Sequence, residues 1–555
     1  MLLAMALTFT SITNTEDVRD LAVVDGVTYA ATSGGVDVFD AKGRPTGALK
    51  VEDGLPSHET WALRVVQGVV FVATSRGLAQ IEGGRVSRFG AGRPWHGLPP
   101  ARTTADRGGY ARRLLDLEAT MRPGAVLAAH DTDGSVAMTA TADGVLDVRG
   151  RRHVRHRLRG RPRVVYVGSE GLVAATTEEV RTFDRDGRPR TTHRPPGPIA
   201  VRLMGRELVV IDRAGAEYVL SNGAWSAGRR RRVAQATAMS ADRTRFGVAG
   251  VGVVDQRGRR LSARRQICSN HITSLTRHGK WLVAGTFDSG ACRSRDERHW
   301  YRIRQPALPS NMVYDVASSS GKLWVATSHG LGRQDPRGFQ HYAFGGRNPF
   351  GLRSLSVLAL LNDGDRTGLV ERRGISWIDA RDRVVGRDEW YSDKAEHVTV
   401  ARKVGRYVWI GTEDRGLLRH DGRGWKIFHD GRDLPGNWVT AVDAAADGRA
   451  IVGTCQNGVA LLRDGRPAVK LSVNDGLADE MVTAVSLGDT SWVGTLAGLS
   501  AVSGGRVVAS YGPREGLADR RVSMVQRLGD TLWVGTEAGL SRGQSGPGVR
   551  SSSRR

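Results

Sequence analysis

Apolar and polar positions alternate along most of the chain in short stretches separated by glycine-rich turns. In a clear example, Val482-Thr-Ala-Val-Ser-Leu is followed by a Gly-Asp turn, by Trp492-Val-Gly-Thr and by Leu499-Ser-Ala-Val. Alternation with a period of two is typical of β-strands with one buried face, and glycine permits tight turns between them. A more polar stretch at 507–511 completes a unit of four predicted antiparallel strands.

The same unit recurs along the chain. Thr412, Thr454, Thr495 and Thr536 occupy one position of four successive units and are separated by 42, 41 and 41 residues. Four short strands in about 40 residues are typical of a β-propeller blade. Thirteen copies, several of them degenerate, align on that position: Thr32, Thr74, Thr141, Thr176, Asp212, Ala249, Thr286, Thr327, Glu371, Thr412, Thr454, Thr495 and Thr536. The predicted fold is all-β, with two consecutive β-propellers of four-stranded antiparallel blades.

The copies predict where each propeller lies. Seven copies indicate a seven-bladed C-terminal propeller over residues 257–545, and six indicate a six- or seven-bladed N-terminal propeller over residues 15–256. Residues 90–124 interrupt the N-terminal series. There, Tyr110, Leu114, Leu117 and Met121 recur at helical spacing, which predicts an insertion with a short helix. Residues 546–555 are predicted to be a disordered basic tail.

The last C-terminal unit has only three predicted strands, and proteins normally avoid an open sheet edge. We expect residues 257–266 to supply the missing outer strand and, by analogy, residues 2–9 to close the first propeller. Residues 1–14 have a second interpretation, as a clipped signal peptide, because residues 1–9 are largely apolar. The signal-peptide interpretation is favoured and predicts the periplasm or cell envelope, whereas a closing strand is compatible with the cytoplasm.

The repeats carry two recurrent motifs: Trp-Val/Ile-Gly-Thr-x-x-Gly-Leu, and linkers such as Leu308-Pro-Ser-Asn-Met-Val313 and Leu434-Pro-Gly-Asn-Trp-Val439. With these motifs, residues 15–90 and 266–545 resemble the two-component regulator propeller repeat. The resemblance implies extracytoplasmic, often paired seven-bladed propellers of bacterial hybrid sensor kinases, many of which sense carbohydrate. It implies a sensor region here, without the kinase part. The implied partners are a small polar molecule, a glycan or a protein, together with a separate sensor kinase.

Polar side chains recur in the turns between second and third strands and in the linkers between blades. In a propeller these two segments emerge on one face around the central channel. A surface of acids, amides and histidines suits hydrogen bonding to a polar ligand, although turn positions are polar in any protein. The candidate ligand-binding residues are His271, Asp288, Asn311, His329, Glu413, Asp414, Asn437, Trp438, Gln456, Asn457, Asp479, Glu480, Arg520 and Glu537.

Other candidate chemistry is sparse. His271 and His329 have no third ligand at metal spacing, so neither a metal site nor a cofactor is predicted. No catalytic motif is recognisable, and a non-enzymatic ligand- or protein-binding function is predicted. The alternative is a propeller enzyme, a lyase or hydrolase that acts on polysaccharide through scattered acids. The recurring tryptophans are predicted to pack between neighbouring blades: Trp281, Trp324, Trp409, Trp492 and Trp533.

The chain of 555 residues has a formal charge of +24, much of it in arginine runs such as 229–232 and 257–265. One run alternates, so that its arginines share one face of an extended segment: Arg155, Arg157, Arg159, Arg161 and Arg163. A polyanion could bind there, but a charged edge strand protected against aggregation is the favoured interpretation. Nucleic acid is not the predicted partner, because no aromatic residues interleave with the arginines.

Three cysteines are too few for a disulfide scaffold. Cys268 and Cys292 belong to one unit, and a bond between them would support export. Two buried thiols are favoured instead, because the strands are expected to hold the Cα atoms more than ~7 Å apart. Cys455 is expected to be unpaired in a turn. No apolar run is long enough to span a bilayer, so no transmembrane segment is predicted.

Overall fold

The chain forms two compact units in the computed structural model. The C-terminal unit combines Met1–Thr13 with Arg265–Arg555, and the N-terminal unit is Asn14–Arg264. The residues that the structure describes are 7–545 without 101–105, 122, 170, 195–199, 205–206, 222–223, 229–232, 241, 249, 264–265, 336–337, 373, 390–396 and 464–465. The predicted tail at 546–555 and the basic run at 229–232 lie outside the described residues. The first strand, β1 (Leu7–Ile12), belongs to the C-terminal unit.

In the part of the N-terminal unit that the structure describes, there are six antiparallel sheets, whose strands follow one another in chain order. They are β2 (Val18–Val24), β3 (Val27–Thr32), β4 (Gly35–Phe39) and β5 (Pro45–Leu49); β6 (Thr60–Val66), β7 (Val69–Thr74), β8 (Gly77–Glu82) and β9 (Arg85–Phe89); β10 (Leu127–Thr132), β11 (Ala137–Thr141), β12 (Val145–Arg149) and β13 (His153–Arg157); β14 (Pro162–Gly168), β15 (Gly171–Thr176), β16 (Val180–Phe183) and β17 (Pro189–His193); β18 (Ala200–Met204), β19 (Glu207–Ile211), β20 (Glu217–Ser221) and β21 (Ala224–Ala227); and β22 (Ala236–Met239), β23 (Arg245–Val248) and β24 (Gly252–Asp255).

The described residues of the C-terminal unit form seven four-stranded antiparallel sheets. They are β25 (Ile272–His278), β26 (Trp281–Thr286), β27 (Ala291–Ser294) and β28 (Trp300–Ile303); β29 (Val313–Ser319), β30 (Lys322–Thr327), β31 (Gly330–Asp335) and β32 (Gly338–Tyr342); β33 (Ala359–Asp363), β34 (Arg366–Glu371), β35 (Gly374–Asp379) and β36 (Val384–Glu389); β37 (Val398–Val404), β38 (Tyr407–Thr412), β39 (Leu417–His420) and β40 (Trp425–Phe428); β41 (Val439–Ala444), β42 (Ala450–Thr454), β43 (Val459–Arg463) and β44 (Arg466–Leu471); β45 (Val482–Ser486), β46 (Ser491–Thr495), β47 (Leu499–Ser503) and β48 (Arg506–Tyr511); and β49 (Val522–Leu528), β50 (Thr531–Thr536) and β51 (Gly539–Ser545) with β1. Short 3-10 turns occur at Val51–Asp53, Val473–Asp475 and Pro513–Glu515.

The first strands of successive sheets lie side by side in the C-terminal unit. Each contacts the next in chain order, and β49 of the last sheet contacts β25 of the first. Hydroxyl groups join them, since the Thr483 side chain donates a hydrogen bond to the Val522 carbonyl and the Ser523 side chain donates to that of Ile272. First-strand residues of all seven sheets surround a cavity of about 370 Å³. In the N-terminal unit, β22 likewise contacts β2.

The recurring threonine and glycine of each repeat have a structural role. The buried Thr412 hydroxyl donates to the carbonyl of Gly416 at 2.8 Å, which holds the turn between the second and third strands. Gly416 adopts a φ of 73°, a conformation that favours glycine. Gly453, just before Thr454, lies so close to Val482 of the next sheet that a Cβ atom there would clash. The motif therefore sets both the turn and the approach of the neighbouring sheet.

The repeated tryptophans lie between sheets. Trp324, Trp409, Trp492 and Trp533 are buried, and each packs against apolar residues of the following sheet. Trp281 is more exposed and lies among arginine side chains, yet it contacts the corresponding cluster. A flat apolar ring fills the space between two twisted sheets, and its burial holds them together.

The last sheet of the C-terminal unit is completed by β1, which corrects the sequence-based prediction. Strand β1 pairs antiparallel with β51, from Leu7 opposite Ser545 to Ile12 opposite Leu540. Phe9 is buried in the adjoining core, and its ring meets that of Tyr511 edge to face at 5.8 Å. Residues 7–12 therefore complete a sheet of the C-terminal unit, whereas residues 2–9 were expected to close the first propeller; residues 1–6 lie outside the described residues.

The expected closing segment, residues 257–266, remains with the N-terminal unit through residue 264. Arg260 forms a β-bridge with Val254, and the Leu261 amide donates to the Val253 carbonyl at 2.8 Å. This segment runs along β24, whose sheet has three regular strands among the described residues. Because this segment forms its backbone hydrogen bonds with β24, it does not supply the outer strand of the last sheet of the C-terminal unit.

The insertion after the second sheet contains the expected helix, α1 (Arg107–Thr120). Tyr110 and Leu114 are buried against the core of the second sheet. Glu118 accepts hydrogen bonds from the amides of Ala91 and Arg93 at 2.6 and 3.1 Å. The carboxylate therefore fixes the start of the insertion to the helix.

Cys268 and Cys292 are disulfide-bonded, contrary to the favoured prediction. The segment that leads into β25 places Cys268 beside β27, and the two Cα atoms are 5.9 Å apart, within the usual range. The sequence-based estimate was wrong because it treated Cys268 as part of a regular strand two positions away in the sheet. Cys455 is free and buried.

Replacing both bonded cysteines by serine should lower the free energy of unfolding of the C-terminal unit by about 3 kcal/mol, because the unfolded chain loses a cross-link over 24 residues. Urea unfolding of the two proteins measures the loss. Dithiothreitol should destabilise the wild type to a similar extent and leave the Cys268→Ser/Cys292→Ser protein unchanged. Equal stabilities of wild type and variant under oxidising conditions would contradict the bond.

Candidate functional site

A polar recess in the C-terminal unit brings together three of the residues predicted to bind ligand. Gln456 and Asn457 lie in the turn between β42 and β43, and Glu480 lies in the linker before β45. The recess has a volume of about 400 Å³ and is completed by Pro435, Lys470, Leu471, Ser472 and Asp475. It therefore lies where two successive sheets meet.

The hydrogen-bonding capacity of the recess is only partly used. Glu480 accepts a hydrogen bond from the Val473 amide through Oε1 at 3.1 Å, whereas its Oε2 is buried and has no hydrogen-bond partner among the described residues. Asp475 is occupied by the amide and hydroxyl of Ser472, both at 2.9 Å. Burying an acceptor without a partner is unfavourable, so Glu480 Oε2 calls for a donor that the described residues do not supply.

Three other predicted ligand residues have structural hydrogen bonds. The side-chain oxygen of Asn311 accepts from the Gln305 amide at 3.0 Å, and that of Asn437 accepts from the Asp430 amide at 2.9 Å. Asp479 accepts from the Met481 amide at 2.9 Å. These side chains stabilise the linkers, which supports the structural alternative for these positions.

The remaining predicted residues lie in turns and linkers of several sheets. His271 stacks on Phe287 at 4.9 Å, and Glu537 pairs with Arg521 at 3.0 Å. Trp438 is 46% exposed. The others are placed as follows: His329 beside Ser328, Asp414 beside Arg415, and Asp288, Glu413 and Arg520 exposed at the surface. Ligand binding by these residues stays a prediction.

Sequence reasoning missed the charged residues of the central cavity. Arg402 and Lys403 line it, and Lys403 pairs with Asp363 at 3.1 Å. Asp315 accepts hydrogen bonds from the amides of Val316 and Leu360 at 2.8 and 2.9 Å. Burial raises the pKa of Asp315, against the influence of Arg402 and of these amides. The polar residues among the apolar first-strand positions were the signal that could have revealed this lining.

The structure divides the alternating arginine run. Its first arginines are exposed and have carboxylate partners: Arg155 with Asp147 at 2.8 Å, Arg157 with Asp143 at 3.6 Å and Arg159 with Glu178 at 3.7 Å. Arg155 and Arg157 lie on β13, the outer strand of its sheet. This placement fits the charged edge strand favoured from the sequence. Arg161 directly precedes β14, the first strand of the next sheet, and Arg163 lies on that strand.

The described residues contain no group of three or more His, Cys, Asp or Glu side chains placed to hold a metal ion. None of the helices within them combines the length and apolar character needed to cross a membrane.

The repeated four-stranded sheets define a β-propeller-like all-β protein. PorZ, a bacterial surface component of the type-IX secretion system of Porphyromonas gingivalis, has a similar structure, with a TM-score of 0.58 and 13% identity over 98% of this chain and 88% of its own. This similarity shows a shared fold.

Weaker similarity extends to extracellular domains of putative hybrid two-component systems from B. thetaiotaomicron. The BT3049 domain has a TM-score of 0.43 and 13% identity over 98% of this chain and 79% of its own. The BT4673 domain has a TM-score of 0.41 and 13% identity over 95% and 76%. No protein-family model and no curated protein sequence matches this chain. The resemblance to the two-component regulator propeller repeat therefore stays at the level of the motifs.

Proposed function

We propose that the chain is a non-enzymatic binding protein built from two β-propellers, seven-bladed in the C-terminal unit and six-bladed in the N-terminal unit. The ring of first-strand contacts from β25 to β49 and the cavity that these strands surround support the count of seven. The six sheets of the N-terminal unit and the contact of β22 with β2 support the count of six. Such a scaffold presents its turns and linkers as a ligand-binding face.

The recess of Gln456, Asn457 and Glu480 is the proposed ligand site. The observation that carries it is the buried, unpartnered Oε2 of Glu480 beside two side-chain amides. A carboxylate oxygen accepts hydrogen bonds, and the amides both donate and accept, so the recess suits a polyhydroxylated molecule such as a small sugar. A protein partner would use the same face through exposed groups such as Trp438.

The proposed location is outside the cytoplasm, in the periplasm or cell envelope. The bond between Cys268 and Cys292 supports it, because disulfides persist in oxidising compartments. A separate sensor kinase remains the proposed signalling partner, on the basis of the repeat motifs alone.

The Glu480→Gln substitution tests the site. Mono- and oligosaccharides are screened by thermal shift against the full chain, and the affinity of each hit is measured by calorimetry. We expect Glu480→Gln to weaken binding about 10-fold or more, since it removes a hydrogen bond to a charged acceptor. Glu82→Gln, the same change at the exposed end of β8 in the N-terminal unit, should leave affinity within about 2-fold.

Equal affinities of wild type and Glu480→Gln would place the ligand elsewhere and contradict the proposed site. Chromatography of the ligand after incubation tests the absence of catalysis. Recovery of unchanged ligand supports a binding protein, and a cleaved product would favour the polysaccharide-acting alternative.

A further inference from the structure

Arginine side chains converge on Trp61 in the N-terminal unit. The Arg19 guanidinium carbon lies 3.6 Å from the centre of the indole ring, and that of Arg161 lies 5.6 Å from it. The His96 ring stacks on the same indole at 3.9 Å. Arg19 and Trp61 belong to the first strands β2 and β6, Arg161 directly precedes the first strand β14, and His96 comes from the insertion. The fold thus assembles at one place residues that are distant in sequence.

Arg163 extends this cluster from β14. Its guanidinium donates a hydrogen bond to the Arg19 carbonyl at 3.5 Å. This bond links β14 to β2, two strands whose sheets are not consecutive along the chain. Neither Arg161 nor Arg163 has a carboxylate within ion-pair distance among the described residues, unlike Arg155 and Arg157 of the same run. These two arginines therefore lack, among the described residues, the direct ion pairs that Arg155 and Arg157 of β13 form.

Trp61 adds an unused donor. It is only 7% exposed, and its Nε1 is buried without a hydrogen-bond partner among the described residues. Arg19 pairs with Asp17 at 3.1 Å and with Glu59 at 3.4 Å, and the charges of Asp20 and Asp17 also act on Arg163. Because Asp20 also pairs with Arg202 at 2.7 Å, the guanidinium groups of Arg19, Arg161, Arg163 and Arg202 outnumber the carboxylates of Asp17, Asp20 and Glu59.

The same positive charges affect the pKa of His96. Burial is the main cause that lowers its pKa to about 4, and the positive charges of Arg19, Arg161 and Arg163 lower it further. A neutral imidazole adds no positive charge to the cluster. An anion would gain from three guanidinium groups in a partly desolvated position.

We propose that Arg161, Arg163 and the Trp61 indole N–H form a binding site for the oxyanion of a ligand, a phosphate or carboxylate group. Guanidinium groups bind either anion through paired N–H donors, and the indole supplies a further donor. The site lies in the other unit from the Glu480 recess and does not depend on it. Because Arg155 and Arg157 of β13 already pair with carboxylates, a polyanion bound along the whole arginine run is the less favoured ligand.

The experiment measures binding of inorganic phosphate and of citrate to the full chain by calorimetry at constant ionic strength. We expect saturable binding of at least one probe with a Kd below about 1 mM. Arg161→Gln should weaken it about 10-fold or more, because a charge-assisted hydrogen bond is lost. Arg155→Gln removes the same charge six residues earlier, from a paired arginine, and should change affinity less than about 2-fold. Because Arg161 is exposed, its substitution leaves the core intact.

The response of His96 gives a second measurement. Bound anion should raise the pKa of His96, followed by NMR and assigned with a His96→Gln protein, because it offsets the neighbouring positive charges. Phosphate binding without citrate binding would identify a phosphate ligand, and binding of both would support a general oxyanion site. Equal weakening by Arg155→Gln and Arg161→Gln, or no saturable binding of either probe, would overturn the proposal.

Discussion

Replacement of Phe9 by alanine should lower the free energy of unfolding of the C-terminal unit by about 3–5 kcal/mol, the usual cost of removing a buried phenylalanine ring. Phe9 is the buried anchor of β1, and it packs against Tyr511 and the core of the last two sheets. Its loss weakens the strand that completes the last sheet. Deletion of residues 1–12 should have a larger effect, because it also exposes the edge of β51.

Thr8→Ala is the matched control, since Thr8 lies on the same strand with its side chain exposed. Its stability should be within about 0.5 kcal/mol of the wild type. Urea unfolding measures both variants, and hydrogen exchange of β49–β51 shows whether the loss is in the last sheet. If Phe9→Ala were as stable as Thr8→Ala, β1 would not be the closing strand.

The second large effect concerns the pH dependence of stability through Asp37. This carboxyl group is buried on β4, accepts a hydrogen bond from Thr15 at 2.7 Å and is close to the positive charges of Lys50 and Arg260. Burial outweighs those favourable interactions and raises the pKa of Asp37 from 3.8 to about 7. The folded protein therefore keeps the proton over a pH range in which the unfolded chain has released it.

The sign of the effect follows from that difference. Between about pH 4 and pH 7 the folded state binds more protons at Asp37 than the unfolded state, so stability from this group falls as pH rises. At 1.36 kcal/mol per pKa unit, the free energy of unfolding falls by about 4 kcal/mol over this pH range through Asp37. His96 and His130 act in the opposite direction, because burial lowers the pKa of each to about 4. The effect of Asp37 must therefore be measured as a difference between two proteins.

Asp37→Asn isolates it, because asparagine is neutral throughout and can still accept the hydrogen bond from Thr15. The variant should match the wild type within about 1 kcal/mol near pH 4 and exceed it by up to about 4 kcal/mol at pH 8. Urea unfolding at several pH values gives the difference. A stability difference that does not change between pH 4 and pH 8 would contradict the raised pKa of Asp37.

The local pattern of the sequence was sufficient for the strands and their turns. Thr412 and Gly416 mark a turn because a short hydrogen bond between nearby residues needs no distant partner. The helix at Arg107–Thr120 was predictable for the same reason, since Tyr110 and Leu114 repeat at its period. In contrast, the sequence could not separate Glu480, with its unpartnered oxygen, from Asn437, whose side chain is occupied. Both are polar residues of equivalent linkers.

The sequence by itself determined that this protein is a series of four-stranded repeats, because alternation and turn chemistry act within about 40 residues. Only the tertiary structure decided that β1 completes a sheet more than 500 residues away, as the bond of Ser11 to Gly516, 505 positions apart, illustrates. The tertiary structure likewise brings Cys268 and Cys292 together. It also gives Arg155 a carboxylate partner that Arg161 lacks among the described residues. Edge pairing, disulfide geometry and charge compensation depend on distances in space, which no local pattern specifies.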